Sequence, residues 1–426
     1  MESEKLPFLA MQASTVIFAI AILHTFSVAY FRKLSQKFPH ESARHNTLHL
    51  LGEVEAVFPF YAGAFVLYLM VTLGKSDAIN YMNSLNYTEP LFVFVILVIC
   101  GTRPILRVAE QLLFWFTKKL SFLNPGYAFY FTALVVGPLL GSFITEPAAM
   151  TVTALVLFDQ FYKQNVSEKF KYATIGLLFV NVSIGGTLTH FAAPPVLMVA
   201  SKWGWDLKHM FLNFGDKAIL ACIVSTLTYI FVFRKELSKL KFKLNTDVKV
   251  IPTWVTLLHL LTLGGVIVFA HDSVIFMGLL LLFLALITIT KKHQEILRLK
   301  ESLLVASFLG GLVVLGSTQA WWIEPMIKSL NYDSLFLGAT ALTAVTDNAA
   351  LTYLGSLIPN ISDDFKYALV AGAVTGGGLT VIANAPNPAG YGILQKGFKG
   401  QMINPLYLFI AAMYHTLVAA LAFRFL

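Results

Sequence analysis

The chain has 426 residues, of which 57% are apolar, only 13% are charged and the net charge is +8. A soluble protein carries roughly 25% charged residues, whereas this apolar content would furnish about eleven or twelve membrane helices at ~20 apolar residues each. The composition therefore excludes a soluble enzyme, a nucleic-acid-binding protein and a disordered protein. It predicts an all-α polytopic membrane protein.

Apolar runs follow one another along the chain and predict about 11–13 membrane segments. The first run, at 8–31, is too long for the apolar part of a signal peptide and is predicted to be a retained span. Irregular backbone at membrane depth is tolerated only where it is buried in protein or lines a wet cavity. Four runs carry such interruptions by Gly, Pro and polar residues, predicting two re-entrant hairpins at 127–161 and 334–358 and two broken helices at 172–200 and 366–393.

Lys and Arg are concentrated in the loops after the first and third runs and in two later linkers. The longest of these basic linkers begins at Arg234 and extends to Lys243. Because cytoplasmic loops collect Lys and Arg, these loops are predicted to be cytoplasmic. The N-terminus, with Glu2 and Glu4, is then expected outside the cell membrane, which we take to be an inner membrane.

A polar group precedes the second apolar run. His45, His49 and Glu53 follow a four-residue spacing, which places them on one face of a helix. Such a set could bind a metal, although it is short of a closed site and no second cluster completes it. An interfacial polar patch is the alternative. An intramembrane metal enzyme is the function that would use the three residues.

The two halves of the chain contain an internal repeat. Three segments match in the same order: residues 145–151 with 346–352, 171–173 with 366–368, and 185–195 with 377–387. The first pair has four of seven positions identical. The distribution of basic loops makes the run at 91–101 enter the cytoplasm and the run at 302–320 leave it, so the two repeats are predicted to be inverted.

The repeat divides the chain into four predicted parts. Inverted repeats with paired broken helices are typical of secondary transporters, whose substrate site lies where the breaks meet. The predicted parts are scaffold helices at 1–89, the first repeat at 90–234, a cytoplasmic linker with scaffold helices at 235–300, and the second repeat at 301–426.

Glu146 and Asp347 occupy equivalent positions in the two repeats. Carboxylates at membrane depth mark ion or proton pathways by default. Two carboxylates in a partly dry site cannot both ionise cheaply, so one is expected to hold a proton that Na⁺ replaces. Both acids could instead cap the helices that follow them. Hard oxygen ligands for Na⁺ would come from backbone carbonyls and from Thr145, Thr346, Asn348 and Asn384.

Other polar residues lie within the Gly-Gly breaks. His190 could carry a proton, since an imidazole titrates near neutral pH, or it could be structural. Asn384 and Asn387 could be ion ligands or local turn formers.

These motifs resemble the ion transporter superfamily, which includes arsenite permeases, sodium/proton antiporters and sodium-coupled anion symporters. Residues 142–147 and 346–348 resemble its hairpin tips. Its unwound-helix motif is matched at Gly185, Gly186, Thr187, Thr189, Pro194 and Pro195, whereas Ala192, Ala193 and Val196 depart from it. The acidic tips suit a sub-group of sodium/proton antiporters.

The resemblance implies ion-site roles for Thr187 and Thr189 and an elevator-like movement of the hairpins and broken helices against the scaffold. It also implies a homodimer with the scaffold at the interface. The predicted function is Na⁺/H⁺ antiport by a protein that is not an enzyme and has no resident cofactor. Its predicted partners are the transported Na⁺ and H⁺, membrane lipid and a second copy of the chain, with no nucleic acid. A sodium-coupled anion symporter, the metal enzyme and a passive channel are the alternatives.

Overall fold

A computed structural model describes residues 6–40, 42–242 and 250–426. Glu2, Glu4 and the basic linker from Lys243 onward to 249 lie outside the described residues. All regular elements in the described part are helices, which confirms the all-α class. The protein is an integral multi-pass membrane protein, since six helices are long and apolar enough to cross a bilayer.

The helices before the linker differ widely in length, and π-helical turns join α7 to α8 and α12 to α13. They are α1 (Phe8–Ser35), α2 (Ala43–Leu51), α3 (Val54–Thr72), α4 (Lys75–Ser84), α5 (Thr88–Cys100), α6 (Arg103–Lys119), α7 (Pro125–Phe131), α8 (Gly137–Ile144), α9 (Glu146–Leu157), α10 (Glu168–Gly185), α11 (Pro194–Trp203), α12 (Leu207–Met210), α13 (Asp216–Val232) and α14 (Arg234–Leu237).

The helices after the linker begin with a pair of short apolar helices and end with a long C-terminal span. They are α15 (Thr253–Val268), α16 (Ser273–Ile289), α17 (Leu299–Gly316), α18 (Ala320–Lys328), α19 (Tyr332–Thr343), α20 (Asn348–Ser356), α21 (Asp363–Gly376), α22 (Asn387–Leu394) and α23 (Pro405–Phe425).

The number of long spans is smaller than the number of apolar segments expected from the sequence. A seventh span results if α4 and α5, which meet at a bend of 63°, are counted as one. The remaining apolar segments are shorter helices, several of them pieces of a hairpin or of a broken helix. The expected total of about 11–13 segments counted each broken run as one segment, whereas the described residues contain six or seven long apolar spans.

The helices form two compact units. The first comprises residues 1–94, 299–331 and 353–362, and the second comprises residues 95–298, 332–352 and 363–426. Within the first unit, α3 packs against α17, and a polar network closes the turn after α17. In that network Thr318 Oγ1 donates to Ser14 Oγ at 2.8 Å, and Gln319 Nε2 donates to the Leu315 carbonyl at 2.7 Å.

Two sets of elements follow the same order along the chain. Each set has two successive helices, a helix that ends in an irregular segment, a short helix and, further along, a long helix. The irregular segments lie at 186–193 and 377–386, and each precedes a short helix with a proline in its first turn. Proline fits there because the first helical turn needs no N–H donor.

Helix α10 is the centre of the second unit. Its residues from Ala173 to Gly185 are buried around the whole circumference, and it packs against α8, α13, α21 and α23. A helix that is apolar all round is a core helix and not a lipid-facing one. The break at its C-terminal end is therefore held inside protein on all sides.

Gly311 and Gly310 provide a test of the packing in the first unit. A Cβ at Gly311 would lie 2.5 Å from the Phe58 carbonyl carbon and 2.6 Å from Pro59 N, whereas a Cβ at Gly310 would meet nothing closer than 3.9 Å. We expect Gly311→Ala to lower the free energy of unfolding by about 1–3 kcal/mol, because rigid backbone must move. Gly310→Ala should leave it unchanged. Thermal unfolding of the two purified variants in detergent measures these effects. Equal melting temperatures for Gly311→Ala and Gly310→Ala would contradict this packing.

Candidate ion-binding site

Thr145 lies between two helices of the second unit that pack against each other. This residue has φ +72° and ψ 149° and separates α8 from α9. A positive φ is strained for a β-branched residue, and such strain persists only where the surroundings fix the backbone. Glu146 follows as the first residue of α9, so its side chain lies at a helix N-terminus.

The Glu146 side chain is fully buried, with 0% exposure. Its Oε2 atom accepts a hydrogen bond of 2.9 Å from Asn384 Nδ2, which lies in the irregular segment after α21. Its Oε1 atom has no hydrogen-bond partner in the protein. Gly186, in the irregular segment after α10, lies directly against this carboxylate. The carboxylate thus touches both breaks.

Ser142 links the first hairpin to the break after α10. Its Oγ donates to the Gly185 carbonyl at 2.7 Å and accepts from Leu188 N at 2.9 Å. Its own carbonyl accepts from Thr189 Oγ1 at 2.6 Å. The Thr187 hydroxyl is also engaged, because it donates to the Ile184 carbonyl at 2.6 Å. These hydroxyls hold the irregular backbone in place.

Asp347 caps helix α20. Its Oδ1 accepts from the backbone N–H of Ala349 at 2.8 Å and from that of Ala350 at 3.3 Å. This is the geometry of an N-cap, which satisfies donors that a helix start leaves unpaired. The capping role weighed from the sequence is therefore present at this residue.

Asn348 follows Asp347 and is also buried. Both polar atoms of its side chain lack a partner in the protein, and the side chain lies against Gly377. Its backbone N–H donates to the Ala383 carbonyl at 3.1 Å. Since Asn384 binds Glu146, this bond connects the start of α20 to the start of α9 through the break after α21.

The other residues expected at the site have different surroundings. Asn387 is buried, and its Nδ2 donates to the carbonyls of Gly377 and Thr380 at 2.8 Å each. His190 is half-buried with Nδ1 unpartnered, and its ring contacts Phe191 edge-on. Thr346 is half-buried, and its backbone N–H donates to the Leu342 carbonyl at 3.0 Å.

Five buried oxygen atoms around the tips and breaks have no protein hydrogen-bond partner. Leaving a buried polar atom unpaired costs about 1–3 kcal/mol, and native structures have few such atoms. Carboxylate, amide and hydroxyl oxygens are ligands for hard cations, and a carboxylate oxygen also accepts a proton. The atoms are Thr145 Oγ1, Glu146 Oε1, Asn348 Oδ1, Asn384 Oδ1 and Asn387 Oδ1.

The polar group before α3 lies in the first unit. His49 Nδ1 and Glu53 Oε1 are 3.4 Å apart, and Arg32 Nη2 lies 3.5 Å from Glu53 Oε2. His45 Nδ1 is 2.9 Å from the Ser35 carbonyl. No group of three His, Cys, Asp or Glu residues placed to hold a metal occurs within 6–40, 42–242 and 250–426.

Comparison with known proteins gives one informative result. No curated protein matches the chain. A protein-family model matches residues 10–426, which is nearly the whole chain. The chain belongs to that family, whose description is "Putative Na+/H+ antiporter".

Proposed function

We propose that this protein exchanges Na⁺ for H⁺ at the site around Glu146. The observation that carries the proposal is a fully buried carboxylate with one oxygen held by Asn384 and the other unpartnered. Ionisable groups inside a membrane protein are costly and serve ion or proton pathways. Membership of the antiporter family supports the same reaction.

The exchange follows from competition for one carboxylate. A proton on Oε1 neutralises Glu146, and Na⁺ bound at the same oxygen does the same with a positive charge. The Asn384 N–H stays on Oε2 in either state. Oxygens of Thr145, Asn348 and Asn384 supply further ligands of the type that hard cations prefer. One ion excludes the other, so movement of the site couples the two gradients.

The charges at the two hairpin tips disfavour the anion symporter. Both expected tips carry an acid, Glu146 and Asp347, and the hydrogen-bond partner of Glu146 is the neutral Asn384. An oxyanion brought between two carboxylates would be repelled, and like charges in a low-dielectric site repel strongly. A cation is the substrate that this charge distribution favours.

The transport cycle that we propose is alternating access. The two hairpins and two broken helices would carry the site as one body in an elevator-like movement, as the resemblance to the ion transporter superfamily implies. The same resemblance supports inverted repeats and a homodimer. The basic loops support a cytoplasmic location for residues 234–243, with the N-terminus outside an inner membrane.

Proteoliposomes containing a pH-sensitive dye test this function. With an acidic interior imposed, we expect external Na⁺ to release protons through the wild-type protein, because Na⁺ displaces H⁺ from the carboxylate. Potassium sulfate at equal ionic strength should not do so. Proton release that requires an oxyanion, or release without any cation gradient, would contradict antiport and favour a symporter or a channel.

A further inference from the structure

The two glycines at the end of α10 are required for different reasons. A Cβ at Gly185 would lie 2.9 Å from the backbone carbon and oxygen of Pro138, on the hairpin. A Cβ at Gly186 would lie 2.4 Å from Glu146 Oε1 and 2.6 Å from Glu146 Cγ. The hairpin backbone therefore packs in the space beside Gly185, whereas the Glu146 carboxylate packs in the space beside Gly186.

We propose that Gly186 is a positioning residue for ion exchange, because its missing side chain leaves the space in which the Glu146 carboxylate reaches Asn384. This inference rests on the function proposed for Glu146. The hydrogen bond of 2.9 Å between Asn384 and Glu146 joins residues 238 positions apart. In this arrangement the carboxylate occupies the space that a Cβ at Gly186 would need.

A methyl group at Gly186 would displace the carboxylate and spare the fold. The atoms in its way are Oε1, Cγ and Cδ of the Glu146 side chain, whereas at Gly185 they are rigid backbone. The start of α9 is fixed at Thr145, so the side chain of Glu146 and not its backbone has to move. The displaced carboxylate keeps its charge but loses the Asn384 N–H.

A double-mutant cycle tests this proposal. We expect Gly186→Ala and Asn384→Ala each to raise the apparent KM for Na⁺ about tenfold, with kcat changed by less than about threefold, since each removes the same charged hydrogen bond. The double variant should be no worse than Asn384→Ala alone, because the bond that Gly186→Ala would break is already lost there.

Gly372→Ala is the matched control. A Cβ at Gly372 would lie 2.4 Å from the Phe336 carbonyl oxygen, as close a contact as that at Gly186, but with α19 and not with Glu146. In the double variant Gly372→Ala/Asn384→Ala, the fold change in KM should equal the product of the two single fold changes, because the two substitutions act independently. If Gly186→Ala acted only by damaging the packing, its effect on KM would also multiply with that of Asn384→Ala.

Sodium-dependent thermal stabilisation gives a second readout for all variants. A bound ligand raises the melting temperature, so the Na⁺ concentration that gives half the shift reports affinity without transport. If the wild type is stabilised by Na⁺ but releases no protons, antiport is refuted while the cycle still tests Gly186. Unchanged affinity in Gly186→Ala, multiplying effects in the double variant, or no stabilisation of the wild type by Na⁺ would each overturn the role of Gly186.

Discussion

Glu146→Gln is expected to abolish Na⁺-dependent proton release in proteoliposomes. Glutamine has the size of glutamate and retains an oxygen that accepts the Asn384 N–H, so the buried surroundings of residue 146 are kept. It carries no charge and cannot exchange a proton for Na⁺. The rate with Gln at this position should therefore fall to that of liposomes without protein.

The control for Glu146→Gln is Asp363→Asn. Asp363 begins α21, its side chain is 90% exposed, and it pairs with Lys366 at 2.7 Å. Exposed ion pairs contribute about 0–1 kcal/mol, so this variant should keep at least half of the wild-type rate. An equal melting temperature for Glu146→Gln and wild type shows that the variant is folded. Retention of more than a tenth of the rate by Glu146→Gln would refute Glu146 as the exchanging group.

Two substitutions of Asp347 should separate its charge from its capping role. Asparagine is a good N-cap residue, so Asp347→Asn should keep the bonds to Ala349 and Ala350 and the stability of α20. Asp347→Ala removes the cap as well and should lower the free energy of unfolding by about 1–2 kcal/mol. We expect both variants to lose Na⁺-dependent proton release, because both remove a carboxylate from the site.

The comparison of the two variants decides which role matters. If Asp347→Asn transports normally and only Asp347→Ala is impaired, Asp347 is a cap and Glu146 alone exchanges ions. Melting temperatures in detergent and proton release in proteoliposomes provide the two measurements. A lower melting temperature for Asp347→Asn than for Asp347→Ala would contradict the capping geometry.

The helical class and the residues around the breaks were accessible from the sequence because they depend on local signals. An excess of apolar residues predicts membrane helices whatever their arrangement, and an acid after an apolar run signals a helix start at both Glu146 and Asp347. The N-cap at Asp347 is such a local contact, closed within three residues. Sequence patterns predict contacts between residues that are a few positions apart in the chain.

The hydrogen-bond partner of Glu146 could not be derived in this way. Asn384 was expected among the ion ligands, but its bond to a residue 238 positions away depends on how two breaks pack in space. Ser142 was noted only as part of a tip motif, although it makes three bonds to the break after α10. A serine within an apolar run, four residues before a buried acid, was the available signal.

The asymmetry between the two hairpin tips affects how the membrane voltage acts on transport. Asp347 uses an oxygen to cap a helix, whereas Glu146 leaves an oxygen unpartnered. On the proposed function, the Glu146 carboxylate crosses the membrane neutral with either H⁺ or Na⁺ bound. Moving one elementary charge through 100 mV is worth about 2.3 kcal/mol, and a neutral carrier gains none of it. If Glu146 alone exchanges the ions, we expect the exchange to be electroneutral and to follow the pH and Na⁺ gradients alone.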